Sequence, residues 1–320
     1  MRPEQIKIAI DELFEMTVSD MRPASETISN YTRCRRYIGS SDRRQITEGV
    51  WNLWRQKGFP DWLSKFISPD EIDALNTPAD VILRANGNRD EIIEKLKKEN
   101  IHGQKTSLSP LGIRLDKRYN LNISETYKSG LVEVQDEASQ MVGLETGISA
   151  GEDVFDMCAG AGGKSLLFAQ MMQNKGSITA YDISQKSLLE LEKRAKRAKT
   201  SIIKTTATLP AKKFDVVVTD VPCSGSGTWR RCPDAKWKLT PEHFEKILKT
   251  QSEILNKAKD FVKKDGRLCY MTCSLIKKEN DHQIETFLKE NPDFECIRQK
   301  QFSPLTTQTD GLFVAVLKRK

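Results

Sequence analysis

From about residue 141 to the C-terminus the chain repeats one unit: a short apolar run, a glycine-bearing or polar turn, then a helical pattern. Unbroken apolar runs suit strands buried on both faces, and strands that alternate with helices build a mostly parallel sheet. The runs are Val154 to Met157, Ser177 to Tyr181, Ser201 to Lys204, Phe214 to Thr219, Arg267 to Met271 and Leu312 to Leu317. Helices are predicted over Lys164 to Met172, Gln185 to Ala198 and Pro241 to Val262. The expected fold class is α/β, with a doubly wound Rossmann-like domain over 141–320.

The first half reads differently. Ile6, Ala9, Ile10, Leu13 and Phe14 stand at helical spacing, as do Ile46, Val50, Leu53 and Trp54, which predicts a helical domain over 1–66. Gly58-Phe59-Pro60 and Ser68-Pro69 punctuate its end. A helix over Asp90 to Lys98 and short strands near Val81 to Ala85 and Gly112 to Leu115 predict a small α+β subdomain over 67–140.

Composition narrows the function classes. No apolar run is long enough for a membrane span, and acids among the first residues (Glu4, Asp11, Glu12, Glu15) argue against a signal peptide, so a cytoplasmic protein is expected. Seven cysteines without an export signal are expected as free thiols. With no CxxC pair and three histidines, no metal site is expected. The net charge of +7 gathers at Arg33, Arg35, Arg36, Arg43 and Arg44, at Lys193 to Lys199, and at Arg230 and Arg231, which favours a polyanion partner.

Three segments that follow strands carry chemistry. Cys158-Ala159-Gly160-Ala161-Gly162-Gly163-Lys164 after the first run is a glycine-rich turn suited to a nucleotide-type cofactor. It nearly fits a phosphate loop, but Cys158 stands where that motif needs glycine, and it lacks the third glycine of a dinucleotide fingerprint. Asp182, at the end of the next strand, suits ribose hydroxyls of an adenosine cofactor, or else starts the following helix. Asp220-Val221-Pro222-Cys223 and Thr272-Cys273-Ser274 each deliver a thiol beyond a strand end. Cys34, Cys269 and Cys296 read as buried small hydrophobes. Trp229 and Trp237 suit either stacking on bases or packing under a loop, and Arg230, Arg231 and Lys236 suit phosphate contacts.

Together, Asp156 to Lys164, Asp220 to Gly227, Arg230 to Trp237, Tyr270 to Ser274 with Glu279-Asn280, and Asp310-Gly311 resemble the Sun family (RsmB-like) of RNA cytosine-5 methyltransferases. The resemblance begins at Gln135-Asp136-Glu137-Ala138-Ser139-Gln140, and residues 1–65 are similar to a shortened NusB-like RNA-docking domain. It implies a class I methyltransferase domain that binds S-adenosyl-L-methionine through Cys158, Ala159, Gly160, Ala161, Gly162, Gly163 and Lys164, with Asp182 on the ribose and Asp220 near both methyl donor and base. It implies Cys273 as nucleophile and Cys223 as the second thiol, assisting product release. Lys204 to Thr208 stands where the family carries an adenine-side Asp, so Thr205 or Thr206 is expected to face the cofactor.

The chemistry asks for such groups on its own terms. Carbon 5 of cytosine is a poor nucleophile until a thiolate adds to carbon 6, and the thiol must then be expelled once the methyl is in place. The expected protein is a monomeric RNA cytosine-5 methyltransferase acting in ribosomal RNA processing on the small subunit, with no DNA or membrane partner. Transfer RNA is the alternative substrate. A non-catalytic RNA-binding ribosome assembly factor and a phosphate-loop nucleotidase are the rival classes.

Overall fold

Helices α1 (Pro3–Ser19), α2 (Ala24–Cys34) and α3 (Ser40–Gln56) open the computed structural model, which describes residues 1–320. Their inner faces meet around Leu13, Ile28, Tyr31, Ile46, Val50 and Trp54, because residues three and four apart share one side of a helix. Helix α2 escaped the pattern because its buried face includes Thr27 and Thr32 beside Ile28 and Tyr31. Two short helices follow, α4 (Asp61–Ser64) and α5 (Pro69–Leu75). Leu63, Ile67 and Leu75 from this stretch share a core with Trp229, Leu239, Phe244 and Ile276, which fastens the N-terminal segment to the C-terminal half.

Strands β1 (Ile82–Ala85), β2 (Gly103–Lys105), β3 (Gly112–Leu115) and β4 (Val132–Val134) form an antiparallel sheet in the order β2-β3-β1-β4. Helix α6 (Arg89–Lys98) covers it with Ile92 and Leu96, and α7 (Glu125–Lys128) precedes β4. The expected strands are β1 and β3; β2 and β4 span three residues each, too few to show a period.

The larger sheet alternates with helices: α8 (Glu137–Glu145), β5 (Asp153–Asp156), α9 (Gly163–Met171), β6 (Ser177–Tyr181), α10 (Gln185–Arg197), β7 (Ile203–Thr206) and β8 (Phe214–Asp220). There follow α11 (Ala235–Lys238), α12 (Pro241–Ala258), β9 (Val262–Thr272), α13 (Asp281–Glu290), β10 (Phe294–Phe302), α14 (Pro304–Thr307) and β11 (Leu312–Arg319). The strand order is β10-β11-β9-β8-β5-β6-β7, with β5 to β9 parallel to one another and β11 antiparallel to both β9 and β10. Val216 and Val218 point into a core with Phe168 and Ala169 of α9, while Phe214 and Val217 point into the opposite core with Leu255 and Ile284. Burial on both faces is the reason these strands lack polar alternation. The predicted helix over Pro241 to Val262 ends earlier, at Ala258, because Val262 already pairs with Phe214. No helix is long and apolar enough to cross a membrane.

The order in which successive strands are laid down reverses at β5, whose parallel neighbours are β6 on one side and β8 on the other. In open α/β sheets the crevice beyond the strand ends at such a point is where ligands bind.

Candidate active site

The glycine turn leaves β5 at this crevice. Gly160 (φ +51°) and Gly162 (φ +83°) take left-handed backbone that side chains rarely allow. A Cβ on Gly162 would lie 2.5 Å from Leu191 of α10, whereas one on Gly160 would meet nothing within 4 Å, so the backbone at Gly160 is bare toward the crevice. The Gly160 N–H donates to Asp182 Oδ2 at 2.8 Å, and Asp182 Oδ1 accepts from the Ser184 N–H at 2.7 Å. Ser184, not Asp182, caps α10. The outer side of the turn is held by Arg194, donating to the Ala161 carbonyl at 2.7 Å, and by Arg84 of β1 and Gln135, both donating to the Gly163 carbonyl at 3.0 and 3.2 Å.

Lys164, one residue into α9, reaches across to β8 and places its ammonium 2.5 Å from Asp220 Oδ2. Burial works against that charge, but Asp220 outweighs it and holds the Lys164 pKa above its ordinary value. Asp156, at the end of β5, is buried with its Oδ1 unpartnered and its Oδ2 accepting from Ser165 at 2.6 Å. Burial pushes its pKa up to about 6.

Three cysteines reach the same region. Cys223 follows β8 and Cys273 follows β9, and their sulfurs stand 3.1 Å apart. The hydrogen bond with Cys273, together with burial, raises the Cys223 pKa well above the usual thiol value. Burial, then the carboxylates of Asp156, Asp220 and Asp182, raise that of Cys158, which keeps this third thiol protonated. The pair is fixed by Glu279, a fully buried residue to which the sequence reading gave no role. Its carboxylate accepts from the Ser224 N–H at 2.7 Å, from Gln251 at 3.0 Å, and from the hydroxyls of Ser224 and Ser274, one beside each cysteine. Gly227 N–H donates to the Cys273 carbonyl at 3.0 Å, and Gly311 N–H to the Gly227 carbonyl at 2.8 Å. The only sign of Glu279 in the sequence was the Glu279-Asn280 pair beyond the second cysteine.

Several expectations are corrected. Arg230 is buried and donates to the carbonyls of Gln308, Thr309 and Pro78, while Arg231 binds Asp310 and Asp136. Lys236 is 1% exposed, its ammonium 3.9 Å from the Phe59 ring centre. These three cations are spent on joining parts of the fold, so they are not free for phosphates. Trp229 is buried in the core and Trp237 donates to the Gly58 carbonyl at 3.0 Å, which settles both as packing residues. Cys34 and Cys296 are exposed; only Cys269 is the buried thiol expected. The Thr205 hydroxyl is taken up by Glu192 of α10 at 2.5 Å, and the Thr206 hydroxyl closes on the Thr208 carbonyl at 2.9 Å. The expected Arg33 to Arg44 cluster is split: Arg35 packs on the Tyr31 ring and faces Glu12, while Arg43 and Arg44 line a separate cleft.

The chain is 30% identical to the probable ribosomal RNA small subunit methyltransferase B of Bacillus subtilis, over 86% of this chain and 69% of that protein. It is 30% identical to the ribosomal RNA small subunit methyltransferase B of Proteus mirabilis, over 78% of this chain and 61% of that one. The chain thus spans between about three fifths and seven tenths of the length of these two relatives. Among solved structures, PH0851 aligns over 92% of this chain and 76% of its own at 26% identity, with a TM-score of 0.78. NSun6 from Pyrococcus horikoshii, determined with SFG, shares the fold at 17% identity and a TM-score of 0.74, over 82% of this chain and 99% of its own. A family model described as 16S rRNA methyltransferase RsmB/F matches residues 147–318, the stretch that holds the glycine turn, Asp220 and both cysteines, and the chain belongs to that family.

Proposed function

We propose that this protein methylates carbon 5 of a cytosine in small-subunit ribosomal RNA, in the cytoplasm, through a transient bond between Cys273 and carbon 6 of the base. The observation that carries the reading is the pair of sulfurs 3.1 Å apart beyond two adjacent parallel strands, beside the Lys164–Asp220 ion pair. The methyl donor S-adenosyl-L-methionine fits the crevice: the bare backbone at Gly160 admits an adenosine-type group and the Asp182 carboxylate can take ribose hydroxyls. When bound, it supplies an electrophilic methyl group.

Cys273 attacks carbon 6, and the electron pair this releases makes carbon 5 nucleophilic enough to accept the methyl group. Asp220, steadied by Lys164, is placed to hold the polar edge of a base turned out of its stack. Transfer of the carbon 5 proton to solvent water leaves its bonding pair to re-form the carbon 5–carbon 6 double bond, which expels Cys273 as a thiolate. Cys223, which burial and its neighbour keep as a thiol, hydrogen-bonds the departing sulfur.

The two thiols separate in a variant series. Cys273→Ala is expected to abolish methylation and to form no adduct. Cys223→Ala is expected to methylate but to accumulate on RNA as a denaturant-resistant band, which the double variant erases. Adducts from Cys273→Ala alone would reverse the two roles, and undiminished methylation in both would end the covalent mechanism.

A further inference from the structure

A cleft of about 450 Å³ lies between α3 and the C-terminal half, well apart in sequence from the glycine turn. Arg43, Arg44 and Arg55 form its α3 wall; Pro78 and Arg118 flank it; Arg230 and Arg231 form its floor. The floor arginines are neutralised by the carboxylates and carbonyls already described. The others are not. Arg44 and Arg118 are exposed and face no carboxylate within ion-pair distance, and the one acid in the lining is Glu48. Arg55 is half-buried, its Nε without a partner, and burial followed by the charge of Arg118 lowers its pKa. A fold that gathers like charges into a concave site without counterions carries a standing electrostatic cost, which an anionic ligand relieves.

We propose that this cleft grips phosphates of the substrate RNA at a distance from the target base. The proposal deepens the function above and rests on it. An RNA strand is the occupant this reading calls for, because the family whose model the chain matches is one of ribosomal RNA methyltransferases, and the charge of the cleft is complementary to a polyanion. All the uncompensated charges are guanidinium groups, whose planar forks match phosphate oxygens. The cleft is also tied to the catalytic loops through the fold: its floor residue Arg231 holds Asp310, the next residue, Gly311, bonds Gly227, and Gly227 bonds the Cys273 carbonyl.

Binding of the full-length protein to a protein-free transcript of small-subunit ribosomal RNA, and to small-subunit particles in parallel, tests this across a salt series. Arg44→Gln with Arg118→Gln removes two exposed charges without touching the core. The slope of log affinity against log salt is expected to fall by about 0.7 to 0.9 per lost contact. The KM for RNA is expected to rise while kcat at saturating RNA and the cofactor affinity stay unchanged. Arg33→Gln with Arg36→Gln removes the same charge from exposed positions outside the cleft and is expected to move the slope less. An unchanged slope in the cleft variant, or an equal change in both, overturns the proposal. Wild-type protein that binds and methylates neither RNA nor particle would instead overturn the function on which it rests.

Discussion

Asp156 shows how far one residue's chemistry departs from what its letter implies. Its carboxyl titrates near 3.8 in an open chain but is pushed up to about 6 in the fold, because burial disfavours the charge more than Ser165 favours it. Below pH 4 both states hold the proton and the group is neutral in the balance. As pH rises from 4 to 6 the unfolded chain releases it first, so stability falls, by roughly 3 kcal/mol in all at 1.36 kcal/mol per pKa unit. Asp156→Asn keeps an acceptor for Ser165 and removes the titration. Urea unfolding at pH 4, 5, 6 and 7 is expected to show the variant gaining on the wild type through that window, and a constant difference would show the carboxyl is ionised at no cost. Cys158 shows the same effect: expected as part of the cofactor-lining turn, it is held as a thiol by burial and three nearby carboxylates.

At the scale of elements, the loops after β8 and β9 are one unit although some fifty residues separate the two cysteines. Glu279 clasps both, and Gly227 lies so close to Gly311 that a Cβ on it would stand 1.8 Å from the Gly311 carbonyl oxygen. Gly227→Ala must therefore push the loops apart, with an expected loss of about 1–3 kcal/mol or more. In the Cys223→Ala background, where the adduct accumulates, adduct formation by Cys273 should drop along with stability when Gly227→Ala is added, while cofactor binding, on the far side of β8, should survive. Normal adduct yield in a destabilised protein would show that the clasp is structural only. Strand β10 is the element the sequence hid best: between Phe294 and Phe302 every residue is exposed, as suits an edge strand that pairs only with β11, so there was no apolar run to read.

For the whole molecule, the cofactor provides the broadest test. A group that binds only the folded state stabilises it by about 2.7 kcal/mol at a hundred times its dissociation constant. S-adenosyl-L-methionine is expected to raise the unfolding temperature and ATP to leave it unchanged; protection by ATP alone would return the glycine turn to the phosphate-loop reading. The glycine turn is braced by Arg84 and Gln135 from the segment around the small sheet, so Arg84→Met should weaken that protection by loosening the Gly163 carbonyl.

What the sequence determined by itself was whatever is local or periodic. Buried strands announced themselves as apolar runs, helices by their spacing, and the motifs after β5, β6, β8 and β9 by position beyond a strand end, which is enough to name the sheet and the thiols. What only the tertiary structure decided were pairings between distant residues. Arg231 reads as a basic residue for phosphate until Asp136 and Asp310 are folded against it, and Arg44 and Arg118 read as unrelated until they share a cleft. A charge in a sequence has no partner until the chain closes, and whether it holds the fold together or waits for a ligand depends on which carboxylates arrive beside it.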